Sequence, residues 1–127
     1  MNSPTVQISP LLEEEMVPRF RLAGEVALDL IYRDGRVGDQ WLGLHPREFE
    51  LLWRLAKEPG VVVTRQQLLA EVWRIHHEPQ TNSVAVHVAR VRGKLSQFNL
   101  AHLVATHSEG GYYLDTPTAL VSIHPQN

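Results

Sequence analysis

The sequence contains no cysteine among its 127 residues. That absence excludes thiol catalysis, a disulfide framework and cysteine-ligated zinc. No uninterrupted apolar stretch approaches the roughly 20 residues of a membrane span, and the N-terminus lacks the basic and apolar regions of a secretory signal. A chain of this length can bury enough surface to fold without a metal or disulfide. We therefore expect a soluble, cytoplasmic protein that does not enter the membrane.

The chain also lacks a large excess of positive or negative charge. Twelve basic and fourteen acidic residues give a net charge of −2, which is the wrong sign for an indiscriminate nucleic-acid binder. Although the net charge is close to zero, the charged residues are unevenly distributed along the chain. Arg90, Arg92 and Lys94 lie close together, and no acidic residue occurs between Pro79 and Gln97. This stretch predicts either a solvated helix face or a local contact with phosphates.

Proline spacing and composition divide the chain into three parts. Residues 1–18 contain three prolines and predict an N-terminal arm. Residues 19–114 carry the regular hydrophobic patterns of one domain. Residues 115–127 form a polar tail, in which Ala119–Val121 could add an edge strand.

Short strands are predicted at the start of the domain, from residue 19 to residue 44. As a strand, Val26–Tyr32 places Leu28, Leu30 and Tyr32 on one face. Asp34-Gly35 is a typical hairpin-turn dipeptide. Trp41–Leu44 would then close a small antiparallel sheet.

Three helices are predicted next. The first begins at Pro46 and ends before Pro59-Gly60, and the second is capped by Thr64 together with Gln67. The third begins within residues 81–83 and runs to between residues 95 and 98. Its buried side is a stripe of four apolar residues at helical spacing, namely Val84, Val88, Val91 and Leu95.

A terminal β-hairpin follows the third helix. Leu103–Thr106 and Tyr112–Leu114 are the two strands, and Glu109–Gly111 is the turn between them. These elements together predict an α+β fold of the winged helix-turn-helix type. It combines a small N-terminal antiparallel sheet, a three-helix core and a C-terminal β-hairpin wing. Such a fold suits DNA recognition, because the major groove of B-DNA admits one α-helix.

Five stretches of the chain, taken together and in this order, resemble the OmpR/PhoB-type DNA-binding domain of bacterial response regulators. They are Leu44–Leu52, Val63–Leu69, Val72–Trp73, Ser83–Leu95 and Thr106–Tyr112. The resemblance covers about residues 19–114. Each motif is weak by itself, but their combination and order are specific.

The resemblance implies sequence-specific binding to double-stranded DNA by a bacterial transcriptional regulator. The third helix would enter the major groove, and the hairpin wing would lie near the minor groove. Tandem homodimers on DNA are implied too, with RNA polymerase or another regulator as further partners. Members of this family usually carry a receiver domain before the DNA-binding domain. The 18-residue arm is too short for one, so we expect a stand-alone regulator.

Ten residues are predicted to contact DNA because they match family positions. The base-facing residues are Val86, His87 and Arg90. The residues at phosphates or the groove edge are Asn82, Ser83, Arg92 and Lys94. Trp73 and the following loop, including Arg74, resemble the segment that touches the DNA backbone or polymerase, and Arg65 completes the set.

The wing departs from the family pattern. Ser108-Glu109 stands where the family typically shows Arg-Gly, and phosphates would repel a carboxylate at the wing tip. Together with the neutral charge balance, this departure supports a second hypothesis. In that reading, the winged helix is a protein–protein interaction module with weak or no DNA binding.

No catalytic or metal-binding pattern is evident. His76 and His77 are adjacent, which does not suit chelation of one metal, and His102 and His107 are separated by a predicted loop and strand. The glycines of Glu109–Gly111 indicate turn geometry rather than a phosphate-binding loop. We therefore predict neither enzymatic activity nor a cofactor or metal.

Overall fold

The computed structural model describes residues 17–76 and 82–117. It begins with a four-stranded antiparallel sheet in the order β1-β2-β3-β4. These strands are β1 (Phe20–Ala23), β2 (Val26–Asp29), β3 (Asp34–Val37) and β4 (Gln40–Trp41). Three predicted segments lie wholly or partly outside the described residues. They are residues 1–16 of the arm predicted at 1–18, residues 77–80 between the second and third helices, and the edge strand at Ala119–Val121.

Three helices and a hairpin complete the fold. The helices are α1 (Pro46–Lys57), α2 (Arg65–Glu71) and α3 (Ser83–Ser96). A short 3-10 helix, Ala101–Leu103, leads into the hairpin formed by β5 (Val104–Thr106) and β6 (Tyr112–Leu114). The α+β winged-helix architecture predicted from the sequence is thereby confirmed.

Gly35 lies inside a strand and not in a turn. The prediction of a turn at Asp34-Gly35 is wrong, because both residues begin β3 and the chain reverses just before them, with Arg33 at φ 55°. A Cβ atom on Gly35 would lie 2.8 Å from Cγ1 of Val26 and 3.0 Å from Cδ2 of Leu28. Glycine is therefore required here by close packing within the sheet.

The start of α1 is fixed by its own third residue. Pro46 occupies the first turn, where its missing N–H costs no hydrogen bond. The carboxylate of Glu48 accepts a hydrogen bond of 2.9 Å from the backbone N–H of His45. The apolar side of α1 then enters the core, where Phe49 and Leu52 are fully buried.

The predicted capping box of α2 is confirmed. Thr64 Oγ1 accepts a hydrogen bond from the N–H of Gln67 at 3.0 Å, and Gln67 Oε1 accepts one from the N–H of Thr64 at 2.8 Å. The helix is shorter than its apolar pattern suggests. It ends at Glu71, so Trp73 lies just beyond it.

The apolar seam of α3 anchors this helix to the rest of the domain. All four predicted residues of the seam are buried, with Val88 at 1% exposure and the others at 0%. The wing is joined to the same core, because Val63 and Tyr112 exchange two backbone hydrogen bonds of 2.8 and 3.0 Å. One side of α3 is therefore buried against the domain, and the described residues leave the opposite side uncovered.

Candidate nucleic-acid interface

The outward side of α3 carries small and apolar residues around a single cation. Val86 is 43% exposed, and Ala85, Ala89 and Gly93 are exposed as well. Arg90 lies one turn after Val86 and is also exposed. Its guanidinium makes no hydrogen bond or ion pair with the described part of the chain. Val86 and Arg90 thus occupy the positions expected of base-facing residues.

His87 is on the flank of α3, against the end of α2. Its Nδ1 atom lies 2.7 Å from the backbone oxygen of Ser83, one turn earlier. The imidazole also meets the Trp73 ring edge-on, with the ring centroids 5.1 Å apart and an interplanar angle of 82°. The ring is therefore held in one orientation on both sides.

Lys94, which the sequence predicts as a phosphate contact, has two partners within the domain. Its Nζ atom lies 2.6 Å from Oε1 of Glu48 and 2.7 Å from the backbone oxygen of Gly43. The Glu48 side chain is only 1% exposed. Helical spacing places Lys94 on the flank of α3, but it does not reveal a buried carboxylate within reach. We therefore leave Lys94 out of the proposed interface.

The buried carboxylate of Glu48 is ionised and supported on several sides. Burial by itself would raise the pKa of Glu48. Hydrogen bonds from the His45 backbone and from Lys94, together with the Lys94 charge, outweigh burial and lower the pKa below its ordinary value. This ion pair connects α1, the end of the sheet and α3.

Arg92 joins α3 to the wing. Its Nε atom donates to the backbone oxygen of Val104 at 2.8 Å, and its Nη2 atom donates to Oγ1 of Thr106 at 2.8 Å. Two of the five guanidinium N–H groups are used in this way, so the predicted phosphate contact would have to use the Nη1 group or the second N–H of Nη2. The main role visible in the structure is to fix the angle between α3 and the hairpin.

The N-terminal end of α3 carries no negative charge of its own. Asn82 occupies the N-cap position and is exposed, and the first turn contains no acidic residue. The unpaired N–H groups of a helix N-terminus favour negative charge. Ser83, the first residue of the helix, is half-buried.

The end of α2 places two further predicted residues beside α3. Trp73 is half-buried beneath His87, and the Arg74 side chain is 69% exposed. Arg74 has a positive φ of 57°, and its Nη1 atom lies 3.3 Å from the backbone oxygen of Val72. Arg65 is half-buried at the start of α2.

Sequence reasoning missed the arginine that supports this corner. Arg47 on α1 donates to the same Val72 oxygen at 2.7 Å, and its guanidinium lies 5.9 Å from the Trp73 ring centroid. Arg47 also pairs with Glu50, three residues later on α1. That i, i+3 charge pair is visible in the sequence, but its reach to the end of α2 depends on the tertiary fold.

The wing tip offers acceptors rather than cations. His107–Gly111 contains no lysine or arginine, and Glu109 is exposed. The Glu109 N–H donates to Nδ1 of His107 at 3.1 Å, and the Gly110 N–H donates to the His107 backbone oxygen at 3.0 Å. The hairpin therefore has an ordered turn whose outermost charge is negative.

The described residues carry neither a cluster of metal ligands nor a membrane-spanning helix. No group of three or more histidine, aspartate or glutamate side chains within residues 17–76 and 82–117 is arranged to hold a metal ion. In that same portion, no helix has the length and apolar character required to cross a bilayer.

Comparison with known proteins accounts for this arrangement. Residues 38–114 match the family model described as transcriptional regulatory protein, C terminal. The chain belongs to this family. It is a family of DNA-binding domains of transcription regulators and not a family of enzymes.

Individual relatives support the assignment. The chain is 29% identical over 92 residues to the heme response regulator HssR of Staphylococcus aureus, a match that covers 72% of this chain. The same match covers only 41% of the relative, so the chain corresponds to less than half of that regulator.

Two solved structures share the fold. The DNA-binding domain of CpxR from E. coli has a TM-score of 0.70 and 26% identity, over 80% of this chain and 100% of that one. The RstA DNA-binding domain of Klebsiella pneumoniae, solved in complex with the RstA box, has a TM-score of 0.66 and 25% identity. That match covers 76% of this chain and 97% of RstA's.

Proposed function

We propose that this domain binds double-stranded DNA in a sequence-specific manner and regulates transcription in the bacterial cytoplasm. In this proposal α3 lies in the major groove and the wing lies near the minor groove. The observation that carries it is the outward side of α3, where Arg90 has no partner among the described residues. The RstA complex supports the proposal, because RstA is a relative of the same fold bound to its DNA box.

Arg90 is proposed to read a base, and Val86 to contact an apolar base edge. An arginine guanidinium donates two hydrogen bonds to the major-groove edge of guanine, and apolar side chains contact the thymine methyl group. The phosphates would be met by the N-terminus of α3 at Asn82 and Ser83, and by Arg74 and Arg65 at the two ends of α2. We further propose that RNA polymerase or another regulator contacts Trp73 and the following loop. Two copies of the domain would bind DNA in tandem.

The test begins with selection of bound sites from random duplex DNA. On the selected site, Arg90→Ala should weaken binding by about 1–3 kcal/mol. At one base position, the variant should also bind the preferred base and the other bases with similar affinity. Arg36→Ala is the matched control, because Arg36 is an exposed arginine on β3, where it lies over the Trp41 ring. An equal loss on all sequences for Arg90→Ala would contradict a base-reading role.

Salt dependence separates this function from the alternative. A protein that neutralises Z phosphates loses affinity with a logarithmic slope of about −0.9Z. Few unpaired cations surround α3, so a shallow but clear slope is expected. The exposed Glu109 at the wing tip favours the alternative, a protein–protein interaction module. A flat salt response, combined with tight binding to a protein partner, would support that module instead.

A further inference from the structure

We propose that His87 contacts a DNA phosphate only as the imidazolium, so that duplex binding takes up a proton at this side chain. The inference rests on the proposed function and adds to it a dependence on pH. It concerns which nitrogen of the ring carries the proton, and the structure constrains that choice.

The backbone of α3 fixes the proton on one nitrogen. The Ser83 oxygen, 2.7 Å from Nδ1 of His87, is a carbonyl and can only accept a hydrogen bond. Nδ1 must therefore be the donor. A neutral imidazole carries a single N–H, so Nε2 of neutral His87 is a bare lone pair.

The Ser83 hydrogen bond keeps the imidazole from exchanging its two nitrogens. The ring also meets Trp73 edge-on at 5.1 Å, on the side of α3 that faces the end of α2. A half-turn of the ring would keep this contact but would lose the hydrogen bond from Nδ1 to Ser83. Nε2 is thus the nitrogen available to a ligand, and it has no hydrogen bond to the described residues.

A phosphate is the part of DNA that this flank would meet. Val86 and Arg90 occupy the middle of the outward side of α3, whereas His87 lies to one side, toward α2. A helix in the major groove presents its central residues to the bases and its flanks to the groove walls, which are phosphates. Phosphate oxygens can only accept hydrogen bonds. The lone pair of neutral Nε2 would therefore face a lone pair of the phosphate oxygen and could not bond to it. Protonation converts Nε2 into a charge-assisted donor.

The charged groups that the structure describes near this corner supply no counter-ion for the imidazolium. On α1, Glu48 binds Lys94, and Glu50 pairs with Arg33, Arg47 and Arg74. On α2, Glu71 pairs with Arg54. The nearby cations on α3, α1 and the end of α2 are Arg90, Lys94, Arg47 and Arg74. No carboxylate among the described residues bonds to the ring, so a bound phosphate would provide the missing negative charge.

The experiment uses a mixed-sequence duplex, because a phosphate contact does not depend on base sequence. Affinity is measured by fluorescence anisotropy at constant ionic strength from about pH 8 to about pH 6, the range in which histidine changes charge. Wild-type protein should bind roughly three- to tenfold more tightly at the lower pH. His87→Gln, which cannot ionise, should lose that gain. His102→Gln, on the 3-10 helix, is the control and should keep it.

Two results would overturn the inference while leaving the proposed function intact. One is the same pH response in wild type and in His87→Gln. The other comes from nitrogen NMR of the free protein at high pH, if Nε2 and not Nδ1 of His87 carries the proton. Failure of the wild type to bind duplex at any pH would overturn the proposed function and this inference together.

Discussion

Lys94 shows how one side chain can serve the interface without touching DNA. Its ammonium neutralises the buried Glu48 carboxylate and also binds the Gly43 backbone oxygen. Removing one partner of a buried pair leaves an uncompensated charge, and this is more damaging than losing a surface pair. Lys94 therefore holds α3 in place, and its contribution should appear as stability.

Replacing Lys94 should test this role directly. Lys94→Met is expected to lower the free energy of unfolding by about 2–4 kcal/mol, because Glu48 stays buried without its cation. The measurement is urea unfolding followed by tryptophan fluorescence. Arg33→Met is the control, since it removes a pair with Glu50 in which the arginine is 43% exposed, and it should cost less than about 1 kcal/mol. Similar losses in both variants would contradict the structural role of Lys94.

The same ion pair should respond to acid in a defined direction. The pKa of Glu48 in the folded protein lies below its ordinary value of 4.5. Its ionised form therefore stabilises the fold above about pH 4.5, and that contribution disappears as the pH falls through the lowered value. The stability difference between wild type and Lys94→Met should accordingly shrink in acid.

Within α3, Gly93 is a helical residue with open space around it. No atom lies within 4 Å of a Cβ built at this position, and the residue is exposed. Glycine inside a helix is less favourable than alanine by about 0.5–1 kcal/mol. Gly93→Ala should therefore raise the free energy of unfolding by that amount in a urea titration. A loss of stability would indicate that the helix is strained there.

The wing offers a separate test of where the hairpin lies. Glu109→Arg replaces the exposed negative charge at the tip with a positive one and restores a cation to the wing. If the wing lies near phosphates, general duplex affinity should rise, because one repulsion is removed and one attraction is gained. Glu25→Arg in the turn between β1 and β2 makes the same charge change on another turn. Equal affinity changes in both variants would mean that the tip is not close to DNA.

For the molecule as a whole, local patterns were sufficient to predict the architecture. The capping residues of α2, the valine seam of α3 and the glycine-containing hairpin are each encoded within a few neighbouring residues. The order of these elements then indicated the winged helix. Family membership, established by the match over residues 38–114, agrees with that interpretation.

Local patterns do not reveal contacts between residues that are far apart in the chain. Asp34-Gly35 has turn chemistry, but the Asp34 carboxylate accepts hydrogen bonds from the N–H groups of Gly43 and Leu44, and Gly35 fits a crowded strand position. Lys94 and Arg92 have the spacing of exposed cations, yet each finds a partner on another element. Helical periodicity gives the direction of a side chain, but it does not reveal what lies there.

The Gly43 oxygen has a consequence that extends beyond stability. This backbone atom follows β4 directly, and it receives a hydrogen bond from a side chain near the C-terminal end of α3. A torque applied to the N-terminal strands, by a fused protein or a crosslink, would thus reach α3 through this bond as well as through α1, which packs against both the sheet and α3. A protein bound to the N-terminal sheet could therefore change the tilt of α3.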